Sequence, residues 1–219
     1  MPENTDGNEK YPYFVFAKLV EQLLPDERER LYAAPLTAFL EERKLGTVTG
    51  GGCQLAERAQ PGEKDIDYAG LDIELANLDE ALAFTKSKLT ELGAPVGSEV
   101  EYTGKDGETH SDPIGDLELL NIFIDNVSLA PEIYKNADMR TLCEGIESKL
   151  NADSLGELRG PCVWPSEVLL YIVGGDADDI FANIEPMRKD FPVLQNARVV
   201  FQRRDQKKAP KEIRIGFND

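Results

Sequence analysis

The chain has 219 residues, of which 41% are apolar and 8% aromatic, ordinary proportions for a globular protein. Acids outnumber bases 41 to 24, and the formal net charge of −17 disfavours nucleic acid as a partner, because phosphate backbones would be repelled. No apolar run nears the roughly 20 residues that span a bilayer, and the polar first ten residues lack the basic start and apolar core of a secretory signal, so the expectation is a cytoplasmic protein without a membrane partner.

Residues 1–10 predict a disordered tail. Tyr13-Phe14-Val15-Phe16-Ala17-Lys18-Leu19, rich in aromatic and β-branched residues, predicts a strand. Pro25 and a charge cluster at 26–30 follow. Leu36, Phe39 and Leu40 fall at i, i+3 and i+4, marking a helix that Pro35 can begin and Gly46 can end. Thr47-Val48-Thr49 predicts a short strand running into Gly50-Gly51-Gly52. Residues 54–64 are polar, contain Pro61-Gly62, and predict a hairpin loop. In Leu71-Asp72-Ile73-Glu74-Leu75, strict alternation predicts a strand with its carboxylates on one face. Leu78, Leu82, Leu89 and Leu92 lie on a helical stripe that stops at Gly93-Ala94-Pro95, and Val100-Glu101-Tyr102-Thr103 predicts a last short strand.

The second half reads in the same order. Residues 119–127 (LLNIFIDNV) predict a strand, and Met139, Leu142, Cys143, Ile146 and Leu150 recur at helical spacing. Glu157-Leu158-Arg159 is a short strand and Val168-Leu169-Leu170-Tyr171-Ile172-Val173 an apolar one. Ile180, Ile184, Met187 and Phe191 predict a helix, and Arg198-Val199-Val200-Phe201-Gln202 a closing strand. The chain ends on a basic stretch (Arg203, Arg204, Lys207, Lys208, Lys211) and an alternating Ile213, Ile215, Phe217 that could add an edge strand.

The two halves carry similar runs, Leu45-Gly46 through to Cys53 and Leu155-Gly156 through to Cys162. A period of roughly 110 residues is the size of a whole small domain. The order β-α-β-β-α-β in each half resembles the ferredoxin-like fold, in tandem. That resemblance implies an α+β chain of two ferredoxin-like repeats, 11–104 and 118–219, each an antiparallel sheet with its helices on one face. A Gly-, Asp-, Thr- and Ser-rich linker over 105–117 would join them, and the basic stretch would extend the second. Many unrelated functions use this fold, so function has to come from a site.

Gly50-Gly51-Gly52 could cradle a phosphate by its backbone N–H groups. Cys53-Gln54 stands where a phosphate-binding loop needs Lys and Ser or Thr, and glycines leaving a strand usually mark a bulge. Asp65, Asp67, Asp72 and Glu74 are the densest acidic set near a strand. Carboxylates at i and i+2 point the same way and could hold a divalent cation, which gives one alternative, a metal-dependent phosphoryl- or nucleotidyl-transfer enzyme. The commoner arrangement is the solvated face of an antiparallel sheet. The single histidine, His110, and three scattered cysteines (Cys53, Cys143, Cys162) match no zinc spacing, and reduced thiols suit a cytosolic protein. A Cys53–His110 or Cys162–His110 nucleophilic pair is conceivable, but free cysteine is mostly a small buried hydrophobe. Trp164, beside Pro165, suits either a contact anchor or a half-buried cap on the core.

These features favour a non-catalytic protein-binding module that calls for no cofactor. Asp65, Asp67, Asp72 and Glu74 would form an acidic contact patch for a basic protein partner, with Trp164 as an anchor and charge complementarity steering association. In type it resembles bacterial immunity proteins that neutralise cationic nuclease-type toxins. A structural or regulatory subunit pairing through sheet edges is the other alternative.

Overall fold

The structure, a computed structural model, describes residues 10–58, 62–205 and 211–216. The chain is α+β and divides into two units, Met1–Asp116 and Leu117–Asp219, each built on one antiparallel five-stranded sheet. Among the described residues, no helix is long and apolar enough to cross a membrane. Of the tail expected over 1–10, all but Lys10 lies outside the described residues.

The first unit runs β1 (Tyr13–Leu19), α1 (Pro25–Arg28), a π-helical turn (Glu29–Ala33), α2 (Ala34–Glu42), β2 (Gly46–Glu57), β3 (Lys64–Leu75), α3 (Glu80–Glu91), β4 (Ser98–Thr103) and β5 (Thr109–Ile114). Its strand order is β2-β3-β1-β4-β5. Alternation along the strands puts Val15, Ala17, Leu19, Leu71, Ile73 and Leu75 on one face. All six are fully buried and pack with Leu36 and Leu40 of α2 and Ala81, Leu82 and Leu89 of α3. The helices therefore cover one face, and β1 lies between β3 and β4, held on both edges.

The second unit runs β6 (Glu118–Asp125), α4 (Pro131–Lys135), α5 (Met139–Ala152), β7 (Gly156–Val163), β8 (Glu167–Gly174), α6 (Ala177–Ile184), 3-10 turns at Glu185–Lys189 and Pro192–Leu194, β9 (Arg198–Gln202) and β10 (Lys211–Arg214). Its order, β10-β9-β6-β8-β7, matches the first strand for strand. The register matches too. In the first sheet Tyr13 faces Leu75 and Lys18 faces Glu99; in the second Glu118 faces Gly174 and Phe123 faces Arg198.

The paired Leu-Gly signals have a common physical origin. Lys44 and Ser154 both take positive φ, at 57° and 52°. The following amides, of Leu45 and Leu155, donate to the carbonyls of Leu40 and Leu150, each at 2.9 Å. This left-handed turn closes a helix. The next residue, Gly46 or Gly156, enters a strand where a Cβ would collide with a backbone carbonyl oxygen of the adjacent strand, that of Glu74 or of Val173.

Several elements differ from expectation. The glycine run does not end a short strand, because Gly50, Gly51 and Gly52 lie inside the 12-residue β2, paired with Asp72, Leu71 and Gly70. A bulge between Val48 and Gly50 absorbs one residue. The expected hairpin loop over 54–64 shrinks accordingly, its neck closed by the Arg58 amide on the Glu63 carbonyl at 3.0 Å. Part of the expected linker over 105–117 is β5, an edge strand whose polar alternation and Pro113 hide it from a hydrophobic pattern. The helix expected to reach Phe191 ends at Ile184, since Pro186 has no N–H to continue it. The basic stretch is anchored at its start, where Arg203 forks onto Asp178 with contacts of 2.8 and 2.7 Å. Lys211 opens β10, which pairs with β9, whereas 206–210 lie outside the described residues.

Beneath the β4–β5 edge, Asp112 accepts from Lys86 Nζ at 2.7 Å and from the Tyr102 hydroxyl at 3.1 Å. The Lys86 ammonium holds its carboxyl below the usual carboxylate range. A depressed folded pKa adds stability that is present above the unfolded value near 3.9 and lost as pH falls through the folded value. Urea titrations of wild type and Lys86→Met are expected to differ by a constant amount above about pH 5, and the difference should start to shrink near about pH 4 and vanish only as pH falls through the lower folded value.

Candidate functional site

The two sheets differ on the face away from the helices. In the second unit that face is apolar: Leu119, Phe123, Leu169, Tyr171 and Val173 are no more than 9% exposed, with Cys162, Trp164 and Val200 packed against them. In the first unit the corresponding face carries Phe14, Phe16 and Lys18 on β1, Tyr68, Gly70, Asp72 and Glu74 on β3, and Glu99 and Glu101 on β4. Cross-strand register places Phe14 beside Glu74, and Phe16 between Asp72 and Glu101.

One end of this face is satisfied internally. Lys18 Nζ bonds Glu99 at 3.1 Å and stands 5.0 Å from the Tyr68 ring centroid. The Ser111 hydroxyl donates to the other Glu99 oxygen at 2.6 Å, and together with Lys18 it holds that carboxyl below its ordinary value. Lys18 is raised in turn, chiefly by its bond to Glu99.

The other end is not. Among the described residues, the carboxylates of Asp72, Glu74 and Glu101 make no side-chain hydrogen bond or ion pair. Phe14 is 57% exposed between them. The tip of the Phe16 ring lies over Gly70, where a Cβ would come within 2.5 Å of its Cζ, and meets Tyr68 edge-on at 6.2 Å. Gly50 and Gly52 on the neighbouring β2 add no side chain to wall off Asp72. Beside Phe14, Phe16 and Glu101 the surface forms a hollow of about 490 Å³, closed by Thr103, Gly104 and Thr109. Gly70→Ala is expected to push the Phe16 ring aside and to cost about 1–2 kcal/mol, measurable as a lower urea midpoint.

Asp72 and Glu74 therefore stand side by side on the open face. Asp65 and Asp67 sit nearer the hairpin end of β3. Asp65 is bonded by Arg58 at 3.0 Å, and Asp67 is exposed at the second irregularity in the β2–β3 pairing, between Ile66 and Tyr68, which pair with Leu55 and Gln54. Trp164 belongs to the second unit, half-buried on its apolar outer cluster, with its amide donating to the Glu167 carbonyl at 2.9 Å. Among the described residues, no three His, Cys, Asp or Glu side chains converge closely enough to hold a metal ion. His110 stacks on Tyr102 with centroids 5.5 Å apart and contacts Asp106 at 3.1 Å; Cys53, in the same unit, is not among these partners.

Phe14, Phe16 and Glu101 were missed by the carboxylate reading of the sequence. Their signal is the i, i+2 spacing of two aromatics on a strand whose alternate residues, Val15 and Ala17, already fill the core. No protein-family model matches the chain, and no curated protein shows significant similarity to it.

Proposed function

We propose that the first unit is a protein-binding module that takes up a basic partner on its open sheet face. The observation that carries this reading is the unneutralised set of Asp72, Glu74 and Glu101 around the exposed Phe14. Like charges at i and i+2 on a strand lie roughly 7 Å apart and repel by about 0.6 kcal/mol even at the dielectric of water. An incoming cation relieves that repulsion, and an exposed aromatic ring at the centre of a charged rim is the composition of a contact hot spot. The net charge of −17 adds long-range steering toward a basic surface. An inhibitor of a cationic, nuclease-type toxin in the cytoplasm is the biological role that these features support best.

The fold supports the reading by supplying one sheet face free of helices. We also propose that each unit is a ferredoxin-like βαββαβ with a fifth strand added beside the fourth, and that the pair arose by duplication. Identical strand order, identical register and the matched Leu-Gly helix exits support this.

The test compares two triple variants of equal charge, Asp72→Asn/Glu74→Gln/Glu101→Gln and Glu132→Gln/Glu144→Gln/Glu147→Gln, titrated with a short cationic peptide. The first is expected to lose about tenfold or more in affinity and to flatten the salt dependence. The second should change affinity less than about twofold. Equal losses would reduce the effect to net charge and overturn the assignment of the face.

A further inference from the structure

We infer that the open face selects arginine over lysine, in an extended segment of the partner protein; the inference rests on the basic-partner reading above. The geometry around Phe16 carries it. Asp72 and Glu101 are both register partners of Phe16, on strands to either side of β1. Adjacent strands lie about 4.8 Å apart, so the two carboxylates are rooted roughly 10 Å from each other on either side of Phe16, whose ring leans over Gly70. A guanidinium is a flat cation whose five N–H donors radiate in its plane. Laid over the aromatic surface, it meets the ring with its face and both carboxylates with its edges. An ammonium is a compact, strongly hydrated point charge with three donors, and it can settle against only one side.

The second sheet shows the same chemistry in a different register, with the arginine supplied by the chain itself as a register partner of the phenylalanine. Arg198 lies over the Phe123 ring, 3.8 Å from guanidinium carbon to centroid, while its Nη2 reaches Glu167 at 3.4 Å and its Nη1 reaches Glu212 at 3.7 Å. Arginine, phenylalanine and two carboxylates on neighbouring strands thus form a stable set in this chain. On the first sheet the aromatic rings and the carboxylates are present and the arginine is not. Lys18, on that face, is held by Glu99.

The hollow of about 490 Å³ beside Phe14 and Phe16 is a further part of the site, open to a side chain entering alongside Glu101. Glu101 in its lining, the neighbouring Asp72 and Glu74, and the overall charge of −17 repel phosphate, which leaves a protein segment as the source of the guanidinium.

The test titrates the full chain with nona-arginine and nona-lysine peptides, equal in charge and length. Nona-arginine is expected to bind about fivefold or more tightly. Phe16→Leu, beneath the proposed guanidinium, is expected to remove most of that ratio, with nona-arginine losing far more affinity than nona-lysine; Phe14→Leu, at an exposed position where folding is not at stake, should weaken both peptides and lower the ratio in the same direction. Equal binding of the two peptides overturns the arginine assignment and leaves the basic-partner reading standing. Binding of neither overturns both. Arginine amide matching nona-arginine at equal guanidinium concentration would assign the face to a small molecule and overturn the assignment to a protein segment.

Discussion

Gly46→Ala and Gly156→Ala are each expected to destabilise the protein by about 3 kcal/mol, near the top of the range for overpacking. For a unit of about 100 residues this is a fall in melting temperature of roughly 12–20 °C. At both positions the obstacle is a backbone carbonyl of the adjacent strand, which no rotamer change can move. Relief requires β2 to part from β3, or β7 from β8, at the first residue pair of the hairpin (Gly46 with Leu75, Gly156 with Gly174). That pair is fixed from the other side by the helix exit, through the Leu45 and Leu155 amides. Gly52→Ala is the control. A Cβ there meets nothing within 4 Å, so the change should stay within about 0.5 kcal/mol. Thermal melts of the three variants decide the matter, and a Gly46→Ala melt indistinguishable from that of Gly52→Ala would refute the close-approach argument.

The same glycines explain what was legible in the sequence. Leu-Gly recurs because a helix exit and a strand entry are local events whose residue requirements survive on the page. Strands β1, β6, β8 and β9 and the inner half of β3 were legible as well, since burial on one or both faces leaves apolar alternation or an apolar run. Length was not. Gly50-Gly51-Gly52 carries no side-chain pattern, and its place inside β2 depends on Gly70, Leu71 and Asp72 lying opposite, a tertiary fact. β5 was hidden for a related reason. Thr109-His110-Ser111-Asp112-Pro113-Ile114 is paired along one edge only, so most of it faces water and its composition is that of a loop.

The candidate site was half legible. Alternation placed Asp72 and Glu74 on one face, and the structure keeps them there. Their aromatic neighbours were obscured because Phe14 and Phe16 look like core residues. A strand in an open sheet has two faces, and only the helix positions say which is covered. Trp164 was ambiguous for the opposite reason. A tryptophan in a short loop anchors a partner or covers a core depending on what lies beneath it, and beneath Trp164 lies the apolar outer face of the second sheet.

Divergence between corresponding positions leads to the second large effect. Tyr102 and Phe201 occupy equivalent places, opposite Val15 and Leu120 on the central strands. Phe201 is 1% exposed, meets Phe181 of α6 edge-to-face at 5.4 Å, and so ties that helix to its sheet. Phe201→Ala removes a large buried ring and leaves a cavity that the flanking strands cannot close, an expected loss of about 4 kcal/mol. That is a large share of the 5–15 kcal/mol by which domains are typically stable. Tyr102 is half-exposed, stacked on His110 with its hydroxyl on Asp112. Tyr102→Ala forfeits one hydrogen bond and a partly wet ring contact, an expected loss of about 1–2 kcal/mol. Urea denaturation of the two variants, followed by far-UV circular dichroism, should separate them by about 2 kcal/mol or more. Equal losses would mean that the polar edge of the first unit is as firmly packed as the core of the second, contrary to the exposure of Tyr102 and His110.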